Sequence, residues 1–525
     1  MTLPIHAALP ELIDALARGP RAVLVAPPGA GKTTAVAPAL LDQDWCTGQI
    51  LLLSPRRLAA RAAAERIAEL LDTPVGQRVG YATRMESRQS AETRILVLTE
   101  GIFRNRIQAD PELAGVSAVL FDEVHERSLD SDFGLALALD AQSGLRPDLR
   151  LVAMSATLDG ARFAELLDAP VIESEGRIFP LDLRHVGRRA DARIEDEMAA
   201  VIRRALSEEE GDILAFLPGV AEIERTAERL EGVTVQLHRL HGSLEPAEQR
   251  AAIRKAAGRK IILATAIAET SLTIDGVRIV VDSGLARRAR YDRAAGVARL
   301  VTERVSQAAA AQRAGRAARQ QPGIAYRLWE DAATSGLPPY DPPEILEADL
   351  SPLLLDCAVW GLADPTQLAW LDPPSAAALA EARSRLTDLG ALDADGRPTL
   401  HGRAIQRLPL PPRLAHMLLT AARSGAAGLA AELAILLSER GLGGTDVDLD
   451  QRLNRFRRDR GPRADAARKL EQWFQDNFTY STQVQSDSSS TYLEQFLRDK
   501  VGYCEQFSAS MALMATSLGI RSRVV

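Results

Sequence analysis

The sequence predicts an α/β protein: two tandem lobes built on parallel sheets, then a mostly helical region and a partial α+β tail. The first observation behind this is a recurrence of short, unbroken apolar runs. They fall at residues 22–25, 50–53, 95–98, 118–121 and 151–154, and again at 213–217, 233–237, 261–265 and 279–281. A strand covered on both faces has no solvent side, so it reads as continuous hydrophobic sequence rather than as an alternation. The second is the helical pattern between runs, such as the Ala-rich stretch 58–71. The third is that polar signatures follow strands, at the carboxyl edge where ligands of such sheets gather.

The strand series break into a first lobe at 1–165 and a second at 166–335, followed by a helical region at 336–440, a polar linker at 441–467 and a tail at 468–525. A chain of 525 residues has material for several cores. Its net charge of −7 excludes a global basic field, so any nucleic-acid site is a local groove. Cys46, Cys357 and Cys504 stand far apart, which argues against a zinc module or a disulfide framework. The N-terminus lacks a basic stretch followed by an apolar one, and the most apolar segment, 426–437, is short and carries Glu432. It reads as a core helix, and the chain as cytoplasmic.

The first apolar run leads into Ala26-Pro27-Pro28-Gly29-Ala30-Gly31-Lys32-Thr33-Thr34, and then into a helix start. Strand, glycine turn and helix form a phosphate cradle: glycines let backbone N–H groups curl around an anion that the helix N-terminus also favours. Lys32 supplies a point charge for the outer phosphates, and the Thr33 hydroxyl a ligand for Mg²⁺. After the run at 118–121 come Asp122 and Glu123. Adjacent carboxylates repel, and a divalent cation beside a triphosphate relieves that. Asp122 then serves the metal and Glu123 an attacking water. His125 follows; alone it would more often be a structural histidine, but beside Asp122 and Glu123 the functional reading leads.

Ser155 and Thr157 follow another strand, but small hydroxyl residues fill turns everywhere and alone they say nothing. Arg56, Arg57 and Thr99 also follow strands. Hydroxyls, guanidiniums and N–H groups on one rim suit a phosphodiester backbone, although each arginine reads equally as helix-surface charge. In the second lobe, Gln312, Arg316 and Arg319 are spaced by four and three, one face of a helix. That pattern is either a solvated basic helix or a set of groups meeting a triphosphate held by the other lobe, where arginines stabilise charge on the transferring phosphoryl.

Taken together, the phosphate loop, DEVH, SAT, TEG, the segment 264–273 and QRAGRAAR resemble superfamily 2 helicases of the DEAH-box type over residues 1–440. The resemblance implies two RecA-like lobes closing over Mg-ATP. Pro28 to Thr34 would bind the nucleotide with Thr273 and Asp275, Glu123 would be the general base beside Asp122, and Gln312 would help place the water. Arg316 and Arg319 would be arginine fingers, while His125, Ser155 and Thr157 couple hydrolysis to lobe movement. A single-stranded nucleic acid, RNA in preference to DNA, would run past Arg56, Arg57, Thr99 and Thr265, and residues 286–304 would form a strand-separating hairpin. The departures are DEVH for DEAH, Ala26 for glycine and Ala318 for glycine. An ATPase switch without unwinding is the alternative.

Residues 338–343 are a Pro-rich connector. Short helices at 353–361, 374–389 and 401–406, with a turn or wing at 390–400, resemble a winged-helix segment running into a helical bundle. The tail, with Cys504 and richer aromatics, resembles transglutaminase-like domains, in which a cysteine at a helix start is the nucleophile. No histidine follows Cys504, so a cysteine transferase or protease is the minor expectation. A truncated or artificially joined reading frame with a junction between 441 and 468 is expected.

Overall fold

The computed structural model describes residues 3–438 apart from Pro28, Met85, 157–159, 176–178, Ala190, Glu245, 256–257, 270–273 and 293–296, together with Thr479–Tyr480 and Val501–Gly502. The chain divides into two compact units, Met1–Ala382 and Arg383–Val525, and both large sheets lie in the first.

The first sheet contains β1 (Arg21–Val25), β2 (Gln49–Ser54), β3 (Val79–Ala82), β4 (Ser87–Arg88), β5 (Ile95–Thr99), β6 (Val116–Phe121), β7 (Arg150–Ser155) and β8 (Val171–Glu173). Their spatial order is β4-β3-β5-β2-β6-β7-β1-β8, parallel throughout except for the β3–β4 pair. The five apolar runs of the first series are its central strands. Residues 50–53 are at most 1% exposed, because helices cover both faces. Leu12, Leu16, Val36, Leu40 and Ile67 from three helices pack with Leu24, Leu52 and Val97 on one face. On the other, Phe103 meets Phe121 edge-on at 5.6 Å. Strand β8 pairs with β1, so the first sheet runs past residue 165, where the sequence reading ends the first lobe.

The second sheet contains β9 (Leu181–His185), β10 (Asp212–Phe216), β11 (Gln236–Leu240), β12 (Lys260–Ala264), β13 (Val277–Asp282) and, after a hairpin, β16 (Gly323–Arg327). Its order is β11-β12-β10-β13-β16-β9, all parallel. The strand expected at 233–237 is displaced to Gln236–Leu240. Val233 and Val235 pack against the core from the preceding loop instead, and β11 is an edge strand, which tolerates His238 and Arg239 where a central strand would not. The hairpin joins β14 (Leu285–Asp292) to β15 (Val297–Arg304) in antiparallel register.

Beyond it lie helices Ser351–Trp360, Ala376–Asp388, Leu400–Gln406, Pro412–Arg423 and Ala427–Ser438. The Leu392–Pro398 bridge marks the turn expected at 390–400. Among the described residues no helix is long and apolar enough to cross a membrane.

Candidate active site

Strand β1 delivers the chain into the glycine loop, and the Ala26 amide donates to the Ser155 carbonyl at 3.0 Å, tying the loop to the end of β7. Gly29 and Gly31 have φ of +87° and +96°, the left-handed region that side chains disfavour. A Cβ on Gly31 would also lie 2.6 Å from Leu3 Cδ1. The helix Lys32–Leu40 starts immediately after, and the Ala30 carbonyl is pinned by the Ile5 amide at 3.2 Å. Pro28, Thr157 and Thr273 lie outside the described residues.

Beside the loop, Lys32 is 4% exposed and its Nζ lies 2.7 Å from Glu123 Oε2 and 3.9 Å from Asp122 Oδ1. The Thr33 hydroxyl donates to Asp122 Oδ2 at 2.6 Å. Burial pushes both carboxyls up. For Asp122 the neighbouring Glu123 charge adds to this and its pKa rises; for Glu123 the Lys32 ammonium, with His125 and Arg316, overrides burial and holds it down. Glu123 has a φ of +53°, a strained backbone at a non-glycine of the kind that concentrates at functional sites.

The second lobe presents the helix Gln307–Gly315, capped by Ser306 Oγ accepting from the Ala309 amide at 3.1 Å. It does not continue as an α-helix through Arg319, as the spacing implied. Arg316–Ala318 is a 3₁₀ turn, and because residues three apart eclipse in that geometry, Arg316 and Arg319 still line up. The Arg316 Nε donates to the Glu269 carbonyl at 2.9 Å. Burial and the Arg319 charge push the Arg316 guanidinium well down, and burial alone takes Arg319 to about 10; Glu123 opposes both shifts. Across the cleft, Gln312 Nε2 and His125 Nε2 are 2.7 Å apart. The Ala156 amide donates to His125 Nδ1 at 3.3 Å, and Glu123 Oε2 lies 3.5 Å from the same nitrogen.

These residues fit a magnesium triphosphate. Buried guanidiniums held below their ordinary pKa mark a place where an anion is favourable. Asp122, Glu123 and the Thr33 hydroxyl are hard oxygen donors of the kind Mg²⁺ takes, with phosphates completing its shell. Among the described residues no group of three or more His, Cys, Asp or Glu forms a closed metal cage, which Mg²⁺ does not need.

Of the other residues singled out, Asp275 is exposed and accepts from Gln320 Nε2 at 2.7 Å. Arg56 is turned into the cleft, bonded to the Ala266 carbonyl and 3.5 Å from Glu126 Oε2. Arg57 is exposed at a helix start, and Thr99 and Thr265 end or follow their strands.

Sequence reasoning missed Arg313. It lies off the Gln312–Arg316 face, and so points inward. At 1% side-chain exposure it donates to Asp282 Oδ1 at 2.9 Å and lies 3.3 Å from Glu269 Oε2, over the Phe216 ring at 5.0 Å. Burial opposes its charge, but Asp282 and Glu269 outweigh this and hold its pKa up. Arg313→Met therefore strands two carboxylates in the lobe interior and is expected to cost about 3–5 kcal/mol, read as a fall in the urea midpoint of unfolding.

Glu100, next to Thr99, is 6% exposed, and its pKa is pushed up to about 8 by burial, only partly offset by the Ser128 hydroxyl that donates to it. Its folded pKa lies above its unfolded value, so the stability it lends is full below about pH 4.5 and lost as pH rises through about 8. Glu100→Gln is expected to unfold at a higher urea midpoint than the parent at pH 8, by on the order of a few kcal/mol, and at the same midpoint near pH 4.5.

Residues 7–166 match the DEAD/DEAH box helicase family and residues 196–321 the helicase conserved C-terminal domain. The crystal structure of Escherichia coli DEAH/RHA helicase HrpB superposes with a TM-score of 0.80 at 46% identity, covering 84% of this chain and 57% of that one. In sequence and in fold, the chain is similar to the DEAH-box helicases. The ATP-dependent RNA helicase HrpB of E. coli is 47% identical over 444 residues, 83% of this chain and 55% of the relative. The ATP-dependent RNA helicase HrpA of E. coli is 34% identical over 438 residues, 81% of this chain and 34% of the relative. The chain thus spans about half the length of one of these relatives and a third of the other. Residues 450–525 match the transglutaminase-like superfamily, a match that begins inside the stretch read as a polar linker. Cys504 lies outside the described residues.

Proposed function

We propose that the chain is an ATP-dependent RNA helicase that hydrolyses Mg-ATP between its two parallel-sheet lobes and moves along single strands as they close. The observation that carries this is the composite site. Lys32, Thr33, Asp122 and Glu123 on one lobe face Arg316 and Arg319 on the other, and His125 meets Gln312 at 2.7 Å between them.

In this reading Gly29 to Thr34 hold the phosphates, with Thr273 and Asp275 from the second lobe, and Thr33 with Asp122 holds Mg²⁺. The metal, when bound, neutralises charge on the phosphate oxygens. Glu123 takes a proton from the attacking water while Gln312 orients it. Arg316 and Arg319 stabilise charge on the transferring group. His125, Ser155 and Thr157 report this to the lobe contact. Arg56, Arg57, Thr99 and Thr265 lie on the strand track, whose backbone contacts do not select a base sequence.

The names of the relatives, both ATP-dependent RNA helicases, support RNA as the strand. The test is ATP turnover with and without single-stranded RNA or DNA, paired with displacement of a tailed duplex. Turnover raised by RNA above DNA, lost in Lys32→Ala and accompanied by displacement, is the expected result. Turnover without displacement would leave a switch, and turnover unchanged in Lys32→Ala would remove the mechanism.

A further inference from the structure

Asp372 lies between the 3₁₀ turn Pro365–Gln367 and the helix Ala376–Asp388, outside both sheets. Two arginines of the first lobe hold its carboxylate, one from the turn after β6 and one from the helix Gly160–Leu167. Oδ2 accepts from Arg127 Nη1 at 2.6 Å, and Oδ1 from Arg162 Nη2 at 2.9 Å. The Leu371 carbonyl accepts from the same Arg162 nitrogen at 3.2 Å.

The two arginines are placed with consequence. Arg127 comes two residues after His125, and Arg162 sits on the helix Gly160–Leu167 that follows Ser155 and Thr157. One carboxylate therefore ties the turn that carries His125 to the helix Gly160–Leu167. The Arg127 end is rigid: its side chain is 6% exposed, it also binds Asp132 at 2.9 Å, and its φ is +53°. Its carbonyl accepts from the Glu344 amide at 3.1 Å, while Glu344 Oε2 accepts from the Leu129 amide at 2.8 Å. Trp370, two residues before Asp372, stacks on Phe133 at 5.9 Å, so the segment is held against the lobe on its apolar side too.

We propose that Asp372 is a positioning residue: by bridging Arg127 and Arg162 it keeps the turn that carries His125 and the helix Gly160–Leu167 in one register, so that single-strand binding is felt at Glu123. The inference rests on the helicase reading above. A coupling element has to be a physical link between parts that move, and a carboxylate shared by a turn and a helix is one. Its removal leaves Arg127 paired with Asp132, and the half-exposed Arg162 loses a pair that contributes little to stability. The fold is thus expected to survive.

The experiment measures ATP turnover of the full chain with and without a single-stranded RNA oligonucleotide, together with the thermal midpoint. Asp372→Ala is expected to lose about tenfold in the RNA-stimulated rate, with the unstimulated rate and the KM for ATP within about twofold of the parent. Asp372→Glu restores at least half of the stimulation. Arg162→Ala, which cuts one arm at an exposed position, loses roughly threefold and carries the test if Asp372→Ala does not fold. Parent-like stimulation in the folded variant, or an equal fall in both rates, overturns the inference. If Lys32→Ala leaves turnover intact, or RNA does not stimulate the parent, the helicase reading fails; if those controls behave and Asp372→Ala is silent, only this inference does.

Discussion

An Arg316→Ala variant is expected to turn ATP over roughly 10³–10⁵-fold more slowly than the parent, while nucleotide binding changes far less. The reason is where the guanidinium stands. It is 4% exposed, its Nε is anchored on the Glu269 carbonyl at 2.9 Å, and burial with the Arg319 charge beside it makes its positive charge costly. A group held charged against that penalty gains most when negative charge develops in front of it, which happens in the transition state more than in the ground state. Arg316→Lys is not a rescue, because an ammonium cannot both bond the carbonyl and present a fixed fork to a phosphoryl oxygen. Single-turnover rates at saturating ATP, alongside the affinity for a fluorescent nucleotide, separate the two effects. A loss below tenfold, or one that appears only as a raised KM, would show that Arg316 serves binding and not the chemical step.

The sheets were legible where physics leaves one solution. Runs such as 50–53 and 118–121 can be that apolar only when both faces are covered, and they are the central strands of the first sheet. The β16–β9 flank of the second sheet was not legible. Strand β9 (Leu181–His185) is half-exposed and alternates no more clearly than a loop, and β16 (Gly323–Arg327) mixes glycine, tyrosine and arginine in a fully buried strand. Their identity comes from neighbours distant in sequence, not from their own pattern.

The same division holds in the site. Gly29, Gly31, Lys32 and Thr33 were readable because a local strand–loop–helix context defines the motif. The closeness of His125 to Gln312, or of Lys32 to Glu123, was not, since each joins segments with no local relation. Arg313 shows the limit most sharply. It sits beside Gln312 in sequence but about 100° round the helix from it, and only the buried Asp282 and Glu269 reveal that it anchors the face its neighbours present. Asp372 lay in a stretch with no sequence signal at all, and its meaning comes from the two arginines that find it.

Glu123→Gln is expected to lower the turnover number about 10²–10⁴-fold while ATP affinity stays the same or rises. The substitution keeps shape and the ability to accept from Lys32, now 2.7 Å away, so it removes charge and basicity and little else. In the parent, Lys32 divides its ammonium between Glu123 and the phosphates it is proposed to bind, and the same ammonium holds the Glu123 pKa down. In the proposed mechanism, Lys32 turning to phosphate would take from Glu123 its strongest stabilising neighbour and make it a better base. The loop and the proposed base would then be reciprocal: binding at one raises the readiness of the other. With glutamine in place, Lys32 no longer gives up an ion pair to bind nucleotide, and binding tightens or holds while proton removal is lost. Equilibrium nucleotide binding together with turnover at saturating ATP and RNA reads both sides. Turnover within tenfold of the parent would remove Glu123 as the base. Weakened binding with unchanged turnover would mean that its carboxylate only builds the phosphate site.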